Sequence, residues 1–262
     1  MNVEKDGTVA TVTLLRLAMN PAFFVELEKC FEEINADKDL RAVVVRSGGK
    51  AFSYGLDLTA TFQEHASLFA GGLAGTRTDL LGFIRRVQRA ATAVAECPVP
   101  VIAAIHGWCI GGGLDLAAAC DVRLASKDAK FSLRETKVAI VADLGSLQRL
   151  PAIIGRANTR ELAFTGRDMD AERALKMGLV NELYEDKDAV HTAARKMAEE
   201  IAANPPLVVR GVKDVLNYGE GKTVTDGLAY VSAWNAAFLA SEDLAEAVSA
   251  FMEKRKPEYK GK

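Results

Sequence analysis

Excess charge of either sign is missing from this sequence. It carries 33 Lys and Arg against 35 Asp and Glu, a formal net charge of -2 over 262 residues. No basic field draws such a chain to nucleic acid or to an anionic membrane surface. Long apolar runs are also missing, and none approaches the roughly 20 residues that span a bilayer. Cysteine is sparse. Cys30, Cys97, Cys109 and Cys120 show no CxxC spacing and sit in apolar surroundings, which excludes a disulfide framework and reads as reduced core thiols in a reducing compartment. No His/Cys/Asp spacing marks a metal site, and neither GxSxG nor a phosphate-loop lysine occurs. The opening MNVEKDGTVATVTL passes into a strand pattern rather than a signal or transit peptide, and the ending EYKGK is not an SKL-type address. The expected location is cytoplasmic.

What is present is apolar material for a sizeable core, at 49% hydrophobic residues. Alternating or β-branched runs predict strands at Val9–Leu14, Arg41–Arg46, Val101–Ile105 and 122–126, with shorter ones at Phe131–Leu133 and Leu179–Leu183. Asn20 and Pro21 form an N-cap and first-turn pair for a helix to about Ile34. A second helix is expected from Asp79 to Glu96, and a third around Leu147–Ile154. Strands alternating with helices argue for α/β layering. From about Ala171 the pattern turns helical, with helices expected over 187–203, 205–218, 223–240 and 241–255. Residues 59–77, with Gly71, Gly72 and Gly75, have weak periodicity and read equally as a mobile pocket wall or as a frayed helix and loop.

The chain is organised around PVPVIAAIHGWCIGGGLDLAAACD, Pro98–Asp121. A buried strand runs into a triple glycine, Gly111–Gly113, and then a small-residue helix. Glycine permits close approach and unusual φ, and the first helical turn leaves N–H groups without internal partners. The spacing is not GxGxxG, because Leu116 stands where the third glycine belongs. Asp115 would also repel a pyrophosphate, so a developing oxyanion fits better than a phosphate. A second strand ends in a similar turn, GGKAFSYGLDL.

Three carboxylates gather near the triple glycine. Asp115 stands two residues beyond it, Glu135 follows 20 residues later, and Asp143 lies in the apolar run IVADLG. Desolvation in such a run raises a carboxylate's pKa toward the range useful for proton transfer. Structural alternatives stand beside each: Asp115 as a first-turn dipole partner, Glu135 as a solvated charge, Asp143 as the cap of the following helix. His106 reads as a packing or hydrogen-bonding residue more than a base. Cys109 lacks the partner an activated thiolate needs.

The motifs FSYGLDL (52–58), AAIHGWCIGGGLDLAAACDVRLAS (103–126), QRLPAIIG (148–155), LAFTGRDMDAERALKMGLVNEL (162–183) and FMEKRKPEY (251–259) resemble the enoyl-CoA hydratase/isomerase (crotonase) superfamily over nearly the whole chain. The resemblance implies an α/β fold, a spiral of ββα units over residues 1–195, followed by a helical trimerisation region over 196–262. It implies an acyl-CoA thioester substrate, a homotrimer or dimer of trimers, and neither redox cofactor nor metal, coenzyme A being part of the substrate. By position, the backbone N–H groups of Leu56 and Gly112 form the oxyanion hole, with Tyr54, Gly55, Asp57 and Gly111 around the substrate. Hydratases of the family use two glutamates, at the positions of Asp115 and Glu135. Here the first is an aspartate. The trio Asp115, Glu135 and Asp143, with ADLGSLQRLP and YVSAWN, is similar to the Δ3,5-Δ2,4-dienoyl-CoA isomerase branch, which serves fatty acid β-oxidation. That branch implies Glu135 as base at C2, Asp143 as acid at C6, and Asp115 tuning the pair. A 2-enoyl-CoA hydratase and a catalytically silent thioester-binding relative are the alternatives. Two departures stand out. The turn in VTLLRLAMNPAFF, where the family commonly holds coenzyme A, is short, and Tyr54 replaces a usual small residue.

Overall fold

The architecture is seen in a computed structural model that describes all 262 residues. The chain coils so that each turn lays one long strand in a main sheet and one short strand in a side layer, then crosses back by helix. After an opening strand β1 (Asn2–Asp6), the first turn is β2 (Val9–Leu14), β3 (Ala18–Met19) and α1 (Pro21–Ala36). The second is β4 (Ala42–Ser47) and β5 (Gly55–Leu56), followed by α2 (Leu58–Glu64), α3 (Ala66–Phe69) and α4 (Ala74–Ala95). The third is β6 (Val101–Ile105), β7 (Trp108–Ile110) and α5 (Gly112–Ala119). The fourth is β8 (Val122–Ser126) and β9 (Lys130–Ser132), then a 3-10 turn at Glu135–Val138, α6 (Ser146–Ile154) and α7 (Arg156–Thr165). Then β10 (Met169–Asp170), α8 (Ala171–Lys176) and β11 (Glu182–Tyr184) close the spiral.

The main sheet has the order β1-β2-β4-β6-β8-β11, parallel throughout except for β1. The short strands pair as β3-β5 and β7-β9-β10, and a bridge between Ser53 and Cys109 joins the two groups. The near-continuous apolar runs of β2, β4 and β6 follow from burial on both faces, as parallel sheets require. Alternate residues divide cleanly. Val12, Val43, Val45, Ala103 and Ile105 face the large core. Val9, Val44, Ile102, Ala104 and Leu124 face α9 (Lys187–Ala202), whose Val190, Ala194, Ala198 and Ala202 cover them. Asn20 caps α1 by accepting from the Phe23 N–H at 3.0 Å, with Pro21 in the first turn, as the sequence predicts.

Two expectations are corrected. The boundary between residues 195 and 196 falls inside α9, which belongs to the sheet it covers. The separate helices are α10 (Pro206–Gly219), α11 (Val224–Phe238) and α12 (Glu242–Glu253). The last strand begins at Glu182 rather than Leu179, because the Leu179 and Val180 N–H groups turn back to the Ala174 carbonyl, while the buried Arg123 Nε takes the Leu179 carbonyl at 2.6 Å. The helical region is tied to the core by Lys213 on α10. Its Nζ donates to Asp121 Oδ2 at 2.7 Å, and the same carboxylate oxygen accepts the Val101 N–H at 2.7 Å. α11 buries none of its own residues and exposes Val224, Leu228 and Phe238. No helix is long and apolar enough to cross a membrane.

His106, as expected, is a hydrogen-bonding residue: it is 2% exposed, with Nε2 at 3.0 Å from the Gly49 carbonyl. Its ring meets that of His191 on α9 edge to face at 5.3 Å. Burial, then the neighbouring His106, Arg46 and Lys187, lower the His191 pKa to about 4. A histidine held below its ordinary value near 6.5 binds fewer protons folded than unfolded, so its contribution is intact above pH 6.5 and is lost as pH falls toward 4. Denaturant titrations across that window should show stability falling in the parent protein and falling less in His191→Gln. Equal slopes would remove the histidine pair from the acid response.

Candidate active site

Two turns of the spiral meet edge to edge. Gly55 opens β5 with φ +80°, and a Cβ there would stand 2.7 Å from the Ile110 carbonyl oxygen and 3.2 Å from the Gly112 nitrogen. Only glycine lets the two backbones pass this closely. Gly111 has φ +54°, and a Cβ on it would stand 3.3 Å from Glu135 Oε1. A Cβ on Gly112 would stand 3.8 Å from the Leu56 nitrogen. The N–H of Gly112, the first residue of α5, has no partner within its own helix. The second glycine turn is braced from behind. Ser53 Oγ accepts the Gly55 N–H at 3.1 Å and donates to the Leu17 carbonyl at 3.2 Å. That carbonyl also accepts the Tyr54 N–H at 2.6 Å. The short turn at residues 15–17 thus supports the glycine turn.

Between the turns lies a cavity of about 180 Å³. Tyr54, Gly55, Leu56, Gly111, Gly112, Glu135 and Asp143 all line it. Ile110, Leu58, Val138, Ile140 and Leu144 supply most of the apolar wall, and Arg134 joins them. The sequence reading had Ile140 and Leu144 in the apolar run around Asp143 but named none of the six as site residues; the apolar ones carry no signal beyond hydrophobicity. Arg134 packs over Trp108 at 5.1 Å and reaches Asp168 at 2.7 Å. Asp57 does not line the cavity. Its Oδ1 caps α2, accepting the Ala60 N–H at 2.9 Å. The segment 59–77 forms α2, α3 and the start of α4.

Asp115 is buried at 1% exposure on α5, every residue of which is buried. It does not line the cavity either. Its Oδ1 accepts the Ser146 N–H at 2.6 Å, while Oδ2 has no partner. Asp115 thereby satisfies the start of α6, the task the sequence offered to Asp143. Asp143 makes no such cap, and Gly145 precedes that helix. Cys109 is fully buried, and burial pushes its thiol well above its ordinary value, so it is no thiolate.

The three carboxylates are shifted in one direction. Burial raises Asp115 to about 6, opposed by the bond from the Ser146 N–H. Burial raises Asp143 as well. Glu135 rises to about 7, through burial first and then the negative charges of Asp115 and Asp143. Glu135 Oε2 is buried without a partner. A carboxyl poised near neutrality in an apolar cavity, beside backbone donors, is suited to moving a proton next to a developing oxyanion. No group of three His, Cys, Asp or Glu side chains is placed to hold a metal ion.

A family model for enoyl-CoA hydratase/isomerase matches residues 4–262. The chain belongs to that family. It is 44% identical over 270 residues to the mitochondrial Delta(3,5)-Delta(2,4)-dienoyl-CoA isomerase of Dictyostelium discoideum, covering 99% of this chain and 91% of that protein. It is 43% identical over 243 residues to the peroxisomal enzyme of the same name from Arabidopsis thaliana, covering 92% and 87%. Its fold matches the crystal structure of the enoyl-CoA hydratase from Bacillus anthracis with a TM-score of 0.89 at 31% identity, covering 100% and 99%. The fold class read from the sequence, a crotonase-like α/β spiral with C-terminal helices, is thus confirmed. The cytoplasmic expectation is overturned, since these isomerase relatives are named mitochondrial or peroxisomal. Reduced thiols and balanced charge suit any reducing compartment and select none.

A carboxyl whose folded pKa lies above its unfolded value binds more protons folded. Its ionisation therefore costs stability, from about pH 4.5 upward and fully above pH 7 for Glu135. Glu135→Gln is expected to raise the thermal midpoint at pH 8 by roughly 2–5 °C and to leave it unchanged at pH 4.5. A midpoint lowered at pH 8 would mean that the carboxylate is held by bonds the structure lacks.

Proposed function

We propose that this protein converts 3,5-dienoyl-CoA to 2,4-dienoyl-CoA, a step in fatty acid β-oxidation, using carboxylate proton transfer and a backbone oxyanion hole. The observation that carries this reading is the unequal placement of the three carboxylates. Glu135 and Asp143 line one cavity with the glycine turns, while Asp115 is turned away to hold Ser146. Hydration needs a water between the carboxylates at 115 and 135, and this arrangement disfavours it. Relatives bearing the dienoyl isomerase name support the same choice.

In this reading the thioester oxygen sits between the Leu56 and Gly112 N–H groups. Glu135 removes a C2 proton. The electron pair forms C2=C3 as C3=C4 becomes C4=C5, and Asp143 delivers a proton to C6 as C5=C6 opens. Negative charge passing through the dienolate reaches the thioester oxygen, where each backbone donor is worth about 10²–10³ in rate. The two carboxylates must hold one proton between them, since neither a doubly charged nor a doubly protonated pair does both tasks. Tyr54, Gly55 and Gly111 bound the acyl group. Neither redox cofactor nor metal takes part, and coenzyme A belongs to the substrate. The exposed apolar side chains of α11 suit burial against second copies of the chain, and the assembly proposed is a trimer or a dimer of trimers, which the mass from light scattering would test.

A second reading reverses the roles, with Asp143 as base and Glu135 as acid, since burial raises both carboxyls. One measurement tests the reaction and a second the proton order. Isomerisation lengthens conjugation with the thioester, so ultraviolet absorption of a 3,5-dienoyl-CoA should shift to longer wavelength on turnover, while a 2-enoyl-CoA should change little. Loss of 2-enoyl absorption instead would make the protein a hydratase. In deuterated water, Asp143→Asn should retain exchange at C2 and lose isomerisation by at least about 10²-fold, with Glu135→Gln losing both. Exchange retained by Glu135→Gln and lost by Asp143→Asn would establish the reverse order. Unimpaired isomerisation in Asp143→Asn would end its role.

A further inference from the structure

Asp143 stands on a loop between the 3-10 turn and α6, and its carboxylate makes no hydrogen bond to another residue's side chain. Its place is set through the backbone, and three backbone groups within residues 143–146 are held by side chains from three directions. Gln88 Nε2 on α4 donates to the Asp143 carbonyl at 2.8 Å. Arg149 Nη1 on α6 donates to the Leu144 carbonyl at 3.3 Å. Asp115 Oδ1 on α5 accepts the Ser146 N–H at 2.6 Å. The residue between, Gly145, has φ +120°, and a Cβ there would stand 1.8 Å from Arg149 Nη1, so the guanidinium lies directly on the loop.

Gln88 is the informative member of this set. Arg149 lies on the helix the loop enters, so its contact is local. Asp115 contributes charge as well as a bond. Gln88 is neutral, comes from 55 residues away, and bonds the peptide of Asp143 itself. It also lines a second cavity, of about 650 Å³, on whose wall Asp143 again appears, with Arg149, Gln148 and Glu220. Asp143 therefore forms part of the partition between two spaces. Without the Gln88 bond its main chain has open volume to move into, away from the reaction cavity.

We propose that Gln88 is a positioning residue for proton transfer by Asp143. This rests on the reading of Asp143 as a proton-transfer group in dienoyl-CoA isomerisation. The bond fixes where the carboxylate points, and Gln88 touches no substrate. Misplacing a reacting group by about 1 Å costs on the order of 10²-fold in rate. A position that acts through another residue loses its effect when that residue is already gone.

The test is a double-substitution cycle with a 3,5-dienoyl-CoA. Gln88→Met keeps the length and removes the donor. It is expected to lower kcat by roughly 10- to 100-fold with KM within about twofold. In an Asp143→Asn background it should lower the residual rate by less than about twofold. An equal loss in both backgrounds, or a wild-type kcat in Gln88→Met, would overturn the proposal. Full activity in Asp143→Asn alone would instead fail the underlying reading, and is seen before Gln88 is compared. Should Gln88→Met not fold, Gln88→Leu, neutral and likewise without the donor, carries the same cycle with the same expected outcomes.

Discussion

Two stretches of backbone, one at Gly55 and one at Gly111–Gly112, have to pass within van der Waals contact, and the rest of the site hangs on that approach. Hard-sphere exclusion sets it: a methyl group on Gly55 would overlap the Ile110 carbonyl. The spiral makes the approach possible. Each turn places a short side-layer strand beside the one before, so β5 and β7 lie side by side, bridged at Ser53 and Cys109. The cavity is the space left where the two glycine turns diverge. Its polar contribution at the crossing is backbone N–H alone, a fixed dipole requiring no side-chain reorganisation.

Around that crossing the protein accepts an electrostatic cost. Three carboxylates lie in or behind one small cavity with no cation paired to any of them. Each is lifted above its ordinary range by burial first. Buried like charges are unfavourable to folding, and their concentration here, while the buried carboxylate of Asp243 accepts the Lys260 and Gly261 N–H groups at 2.7 and 2.9 Å, is the pattern of a candidate functional site. Asp115 shows how two requirements share one side chain. One oxygen holds the loop that carries Asp143, and the other is left unpartnered to act on its neighbours through charge.

Local chemistry made much of this legible. Asn20 with Pro21, the strand Val101–Ile105 and the triple glycine follow from capping, periodicity and backbone freedom, each a property of neighbours in sequence. So the principal strands, most helices and the glycine turns could be read, along with the three carboxylates as a group. Their division of labour could not. The bond from Asp115 to Ser146 spans 31 residues and that from Gln88 to Asp143 spans 55. Composition carries no trace of either. Strands of two or three residues, such as β3 and β5, are too short for any periodicity to show. The helix over 187–203 was legible, but its place on the main sheet was not, because its buried face, Val190, Ala194, Ala198 and Ala202, is mostly alanine, which signals helix but not what the helix covers.

The bond between Lys213 and Asp121 has a consequence for how the chain comes to be folded as it is made. Asp121 follows α5, and one of its oxygens holds the first amide of β6, the central strand beneath the glycine turn. Its cation arrives 92 residues later, on α10. While the ribosome is still extending the chain, the ββα spiral can be fully synthesised with this anion unmatched. The helices that follow then do more than add surface. They neutralise a charge at the root of the central strand, so the anchoring of that strand is completed only when α10 has emerged and docked.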